Sequence, residues 1–294
     1  MNQLSNLWRT SNATNRLIIA NIAVFVVINI PLAVLHLLNM DSALGWLMKW
    51  LTLPGDFFTL LTRPWTIITH MFMHTGLLHL LFNMLSLFFI SQLFSRYFDD
   101  RRLINVYFVS GLAGAFVFLL SINIFPIFGD NATVYTAAGA SAAVMGTLVA
   151  VCTYRPLDEV FLFGVFRLQL RWVALIFVLL DLIGISGGNE GGHLAHLGGA
   201  LFGFIWGINL GKGNDLAAFF QTVQDLFKRQ PRRKKSPLTV AHKQRFTDEE
   251  WNLSKKERQI RVDEILDKIS RSGYDSLSKE EKALLFELSK ESDA

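Results

Sequence analysis

The stretch "AAGASAAVMG", Ala137 to Gly146, sets one hydroxyl, Ser141, among alanines and glycines at the head of an apolar run. The run ends at Tyr154 and holds only 14 residues. At 1.5 Å per residue such a helix covers about 21 Å. A bilayer core is about 30 Å thick, so the run cannot cross it alone. In a membrane bundle its N-terminus must begin inside the bilayer. The preceding backbone must then descend to it without helical structure. Non-helical backbone at that depth is tolerated only where it is buried in protein or lines a water-filled cavity. The stretch therefore predicts a wet cavity open to the outside, with Ser141 at its floor.

The rest of the chain supports a membrane setting. It has 294 residues, 51% of them hydrophobic, and a mean hydropathy of +0.35. Charge is segregated: ionisable residues are sparse from Leu17 to Leu210 and dense from Lys212 to Ala294. One cysteine, Cys152, lies in an apolar run, which excludes an intrachain disulfide or a cysteine metal cluster and reads as small apolar filler. The N-terminus has no small-residue cleavage site after a short apolar core, so no removable signal peptide is expected.

Spanning helices need roughly 20 apolar residues. Leu17–Leu38, Leu77–Phe94, Leu103–Phe125, Leu168–Ile185 and Leu194–Leu210 qualify, with a kink expected at Pro31. With the short Ser141–Tyr154 run the expectation is an all-α integral membrane protein, a six-helix bundle with a short buried fourth helix. Alternate loops are basic, carrying Arg9 and Arg16, then Arg96, Arg101 and Arg102, then Arg155, Arg167 and Arg171, then Lys212 onward. That pattern places both termini in the cytoplasm. The expected divisions are a cytoplasmic N-terminus (1–16), the membrane domain (17–211), an interfacial helix with a basic linker (212–246) and a cytoplasmic helical hairpin (247–294).

Helical rise puts several polar residues at one level. From their cytoplasmic ends Ser141 and Asn83 lie about 20 Å up, His196 about 22 Å and His79 about 25 Å. Ser141, at a helix N-terminus, has free N–H groups and the positive end of the helix dipole beside it, a setting for an oxyanion. A serine nucleophile needs a base, and His196 is the candidate. Gly199-x-x-x-Gly203 lets the last helix approach another closely. His79 and Asn83, spaced i, i+4, share a face and can donate hydrogen bonds to developing negative charge.

Other readings compete. A serine among alanines is common packing at membrane helix contacts. His70 and His193 read as surface imidazoles, and His36 likewise. His74 and His79 are five apart, about 140° around a helix, and no H-E-x-x-H pattern occurs, so no metal is expected. Asp181, in "VLLDLIGIS", is costly in a span. It reads mainly as a hydrogen bond to neighbouring helices, and less readily as an acid orienting a histidine.

Taken together these residues resemble the rhomboid intramembrane serine proteases. The second-helix pattern H-x4-H-x3-N stands as "HTGLLHLLFN", with His74, His79 and Asn83. The lead-in "RPWTIITHMFMH" carries Arg63 and Trp65. The serine motif G-x-S-G stands as "GASA", with Gly139 and Ser141. The motif A-H-x-x-G-x-x-x-G stands as "AHLGGALFG", with His196, Gly199 and Gly203. The resemblance covers Trp8 to Leu210 and implies a Ser141–His196 dyad without an acid, in a bacterial inner membrane. An oxyanion hole would come from Asn83, His79 and the Ser141 amide, and no cofactor is implied. The substrates would be transmembrane protein segments, cut near their outer ends. The apolar loop "ALGWLMKWLTLPGDFF" (43–58), with Trp46 and Trp50, suits the membrane interface. Two departures stand out: Ala142 replaces a glycine, adding a methyl beside the oxyanion site, and Met145 replaces an aromatic ring that packs on the histidine. The alternative function is a silent relative that binds or escorts transmembrane clients. A transporter would need paired broken helices, and one short helix is found.

In the tail, Leu216, Phe219, Phe220, Val223 and Phe227 share a helical face suited to the inner leaflet. "KRQPRRKK" then reads as a basic cluster for anionic membrane lipid and not for nucleic acid. Ser254-x-x-Glu257 and Ser278-x-x-Glu281 are capping-box patterns, with Gly273 closing the first helix. Ile265, Leu266 and Ile269 would pack against Leu284, Leu285 and Leu288. The hairpin suits a cytoplasmic protein partner.

Overall fold

The structure, a computed structural model, describes residues 12–40, 46, 48–129, 131–162, 165–227, 248–278 and 280–282. Six helices build the first of two compact units, Met1–Arg229. They are α1 (Ala13–Leu37), α2 (Leu77–Phe94), α3 (Asp100–Ile124), α4 (Ser141–Tyr154), α5 (Leu170–Gly184) and α6 (Glu190–Gly211). All but α4 are long and apolar enough to cross a membrane, α5 with its 3-10 extension to Gly187. Caps fix two starts: the Asn12 side chain accepts from the Asn15 amide, and Asp99 from that of Arg102. Pro31 lies within α1 without ending it.

The six elements are not equivalent. Every residue of α4 from Ala142 to Cys152 is buried. Its wrapping is closest on α3 and α6. By contrast α1 and α5 turn large apolar side chains outward, Val27 and Ile183 being 70% and 72% exposed. A helix apolar all round and exposed on one side faces lipid in a membrane bundle.

Contact between α4 and α6 is made by glycine. A Cβ built on Gly199 would collide with the Ala142 carbonyl oxygen, and one on Gly203 with that of Gly146. The two backbones therefore touch, as small-xxx-small faces permit. This approach carries the start of α4 to the middle of α6.

The inner ends are closed by rings. Phe94 and Phe98 lie 4.6 Å apart, and Trp206 sits 6.0 Å from Phe94 and 5.2 Å from Phe98. The Trp206 indole N–H donates to Asp215 at 2.8 Å. A hairpin, β1 (Glu159–Leu162) with β2 (Phe166–Gln169), links α4 to α5. α7 (Ala218–Phe227) follows α6 and starts later than the apolar pattern suggests, because Asp215 accepts the Ala217 amide and sets the turn. Phe220 stacks on Phe108 of α3 at 5.2 Å, so this ring packs on the bundle. The side chains of Val223 and Phe227 and the cluster "KRQPRRKK" lie outside the described residues.

The second unit, Gln230–Ala294, contains α8 (Asp248–Ser272). Ser254 does not begin it. The helix starts at Asp248, where consecutive acidic residues suit the positive end of its dipole. Gly273 ends it at φ +77°. The capping box at Ser278 is formed: its amide donates to Glu281 at 2.6 Å, and the Glu281 amide donates to its hydroxyl at 3.2 Å. Leu284, Leu285 and Leu288 lie outside the described residues, as do residues 1–11.

Candidate active site

Ser141 is the first residue of α4. Its neighbour Ala140 supplies no side-chain cap, and the first amide to meet a helical carbonyl is that of Val144, at 3.0 Å from Ala140. The amides of Ser141, Ala142 and Ala143 come before that bond. Across the glycine contact His196 projects from α6, and its Nε2 accepts the Ser141 hydroxyl at 2.6 Å. The two residues set at one depth by helical rise are thus brought into hydrogen-bond contact.

Both line a cavity of about 790 Å³, together with His70, His79, Asn83 and Gly139. The Asn83 amide donates to the His79 carbonyl at 2.9 Å, using one of its two N–H groups. His79 and Asn83 enter the cavity from α2. The His74 ring meets that of His79 edge-on at 5.0 Å and supports it from behind.

The descending backbone before Ser141 is held by the loop after α1. Leu53 and Pro54 pair antiparallel with Ala137 and Thr136, and the Gly55 amide donates to Tyr135 at 2.8 Å. Gly139 then donates to the His70 carbonyl at 2.9 Å. Its φ of +129° favours glycine, and a Cβ there would lie 2.9 Å from His79 Nε2. His70 is therefore no surface imidazole. It is 4% exposed, and its Nδ1–H donates to Thr66 at 2.9 Å. Burial pushes its pKa down to about 4 despite that bond, and burial, with the nearby His79, holds His74 at about 4 as well.

His193 and Asp181 also depart from expectation. Asp181 of α5 accepts on one oxygen, Oδ1, from His196 Nδ1 at 2.8 Å and from His193 Nδ1 at 2.7 Å. His193 thus stands beside the site, not at the membrane surface, and His196 has a carboxylate behind it. One signal was available: His193 and His196 are spaced i, i+3 and share a face of α6. Among the described residues Asp181, His193 and His196 also form the group whose ligand atoms are close enough to hold a metal ion, within 4.8 Å of one another. The sequence reading had paired no acidic residue with a histidine. Here both Nδ1 atoms address one carboxylate oxygen, a hydrogen-bonded arrangement that leaves His196 Nε2 to the serine.

Comparison with known sequences decides the lineage. The rhomboid domain model matches residues 61–213. The chain belongs to the rhomboid family. RHOMBOID-like protein 5 of Arabidopsis thaliana is 29% identical over 148 residues, 50% of this chain and 44% of that protein. Inactive RHOMBOID-like protein 8 of the same plant is 29% identical over 104 residues, covering 35% and 27%. Rhomboid protease GluP of Bacillus subtilis (strain 168) is 27% identical over 153 residues, covering 50% and 26%. The chain spans less than half the length of these curated relatives. Residues 247–291 match a family of unknown function, DUF6576.

As a rhomboid, this chain is a multi-pass membrane protein, and its departures can be placed. The Ala142 methyl is turned into the space left by Gly114 of α3, where a Cβ would come 2.6 Å from it. Ala142 is 6% exposed, so the added methyl is absorbed by the bundle. Met145 is buried in the inner core. On the outer rim Trp50 stacks on Trp65 at 5.5 Å, Arg63 lies over Trp50 at 5.2 Å, and Trp65 donates to the Trp50 carbonyl. The motif residues Arg63 and Trp65 thus anchor the outer loop.

Proposed function

We propose that this rhomboid is an intramembrane serine endopeptidase that cuts transmembrane segments of other membrane proteins. The observation that carries the reading is the 2.6 Å hydrogen bond from Ser141 to His196 Nε2 on the floor of a polar cavity inside an apolar bundle. In the proposed reaction Ser141 Oγ attacks the scissile carbonyl carbon as its proton passes to His196 Nε2. The carbonyl oxygen becomes an oxyanion, met by the Ser141 amide, Asn83 and His79. His196 returns the proton to the leaving amine, and an ester remains on Ser141. Water, activated by the same imidazole, hydrolyses that ester. Gly139, His74, Gly199 and Gly203 hold these groups in place and do not react.

The basic loops support a bacterial cytoplasmic membrane with both termini inside and the cavity facing outward. Lipids and transmembrane substrates are the partners. Nothing in the scheme calls for a metal, a cofactor or nucleic acid, and the tail suits a cytoplasmic protein partner.

The test is cleavage in proteoliposomes of single-span reporter proteins whose outer ends carry helix-breaking residues. Cleavage by wild type and none by Ser141→Ala supports the reading. A panel left intact by folded wild-type protein contradicts it and turns attention to client binding.

A further inference from the structure

We propose that Asp181 is a positioning residue of this site, which makes the catalytic group a Ser141–His196–Asp181 chain and not a serine–histidine pair. The inference rests on the serine protease reading and deepens it. A neutral imidazole has one N–H and one lone pair, and either ring nitrogen can hold the proton. Only the form protonated on Nδ1 leaves Nε2 free to take the serine proton. Asp181 Oδ1 lies 2.8 Å from His196 Nδ1, on the far side of the ring from Ser141. An acceptor there fixes the proton on Nδ1 and holds the ring plane. A carboxylate within a span is costly to bury and marks function or pairing. Asp181 is 8% exposed, and its Oδ1 is met by two imidazole N–H groups. The second donor is built in with care: Gly184, on the next turn of α5, leaves the space that the His193 ring fills, and a Cβ there would fall 2.6 Å from its Nε2.

A purely structural latch between α5 and α6 would use the same bonds, so the test needs a readout that a latch does not move. Full-length protein in detergent is labelled with ¹⁵N-histidine, and His196 is assigned with His196→Gln. Labelling by a fluorophosphonate is followed in parallel and split into a half-saturating concentration and a limiting rate. Wild type should show His196 protonated on Nδ1. Asp181→Asn should lose that signature. Its limiting labelling rate should fall by a factor on the order of 10²–10⁴, as for orienting aspartates elsewhere, with the half-saturating concentration unchanged. A chelator should leave the wild-type rate unchanged.

Three results overturn the proposal: wild-type His196 carrying its proton on Nε2, an Asp181→Asn variant labelled at the wild-type limiting rate, or a rate that collapses on chelation. A slower variant with an unchanged His196 signature also does so, since it leaves Asp181 as a latch. The wild-type resonance decides the matter even if the variant does not fold. Failure of wild type to react at all, with the Nδ1–H signature present, counts against the protease reading and not against the placement of Asp181.

Discussion

α4 joins two unlike regions. Its first residue, Ser141, stands on the floor of a polar cavity among His79, Asn83 and His196. Its last, Tyr154, reaches an aromatic cluster, 4.9 Å from Phe98, which in turn meets Phe94 and Trp206. The outer end is wet and only partly filled, while the inner end is close-packed. The difference assigns labour along one helix: burial at the inner end and glycine contact in the middle fix α4, and that fixed helix presents a nucleophile to water inside a bilayer. Positioning chemistry on rigid elements is what lets small distances such as 2.6 Å be held.

The comparison can be broken from either end. The largest effect is expected at the inner cluster. Trp206→Ala should cost about 3–5 kcal/mol, read as a lower thermal midpoint in detergent, with the labelling chemistry of the surviving folded fraction retained. An unchanged midpoint would show that the inner end does not carry the fold. Next, Asn83→Ala should slow reporter cleavage by about 10²–10³ with little change in melting. Normal cleavage would remove Asn83 from the oxyanion site.

A smaller effect sharpens the comparison through pH. His70 has its pKa lowered on folding, to about 4, so the unfolded chain binds the proton more readily. Its contribution to stability is complete above pH 6.5 and is lost as pH falls toward 4, by up to about 3 kcal/mol. His74 acts with the same sign. The drop in midpoint between pH 7.5 and 4.5 should therefore be larger in wild type than in His70→Gln, and equal drops would contradict this account. The smallest effect is expected for Ala142→Gly, because the methyl is housed by Gly114. Cleavage should change by less than about threefold, with a slight loss of stability from glycine in a helix. A large gain in rate would show that the methyl obstructs the site after all.

The sequence made the spans legible because lipid demands long apolar helices, and α2 and α4 begin and end as their apolar runs do. It also disclosed Ser141, His196, Asn83 and His79, since helical rise converts position into depth. Rotation about a helix axis was not legible. α5 is apolar on most sides, so nothing in its pattern tells which side Asp181 takes, and the bonds to His193 and His196 emerge only in three dimensions. The two-residue pairing of Leu53–Pro54 with Thr136–Ala137 is too short to leave a pattern. His70 was misread because its burial is supplied by the folded loops before and after α1 and α3, not by a span.

The central claim, that Ser141 is an activated nucleophile with His196 as its base, is tested most directly by labelling purified protein with a fluorophosphonate beside Ser141→Ala and His196→Ala. The account predicts labelling of wild type and its loss in both variants, with unchanged melting. Wild-type labelling no greater than that of folded Ser141→Ala, while an active rhomboid control reacts, would contradict it.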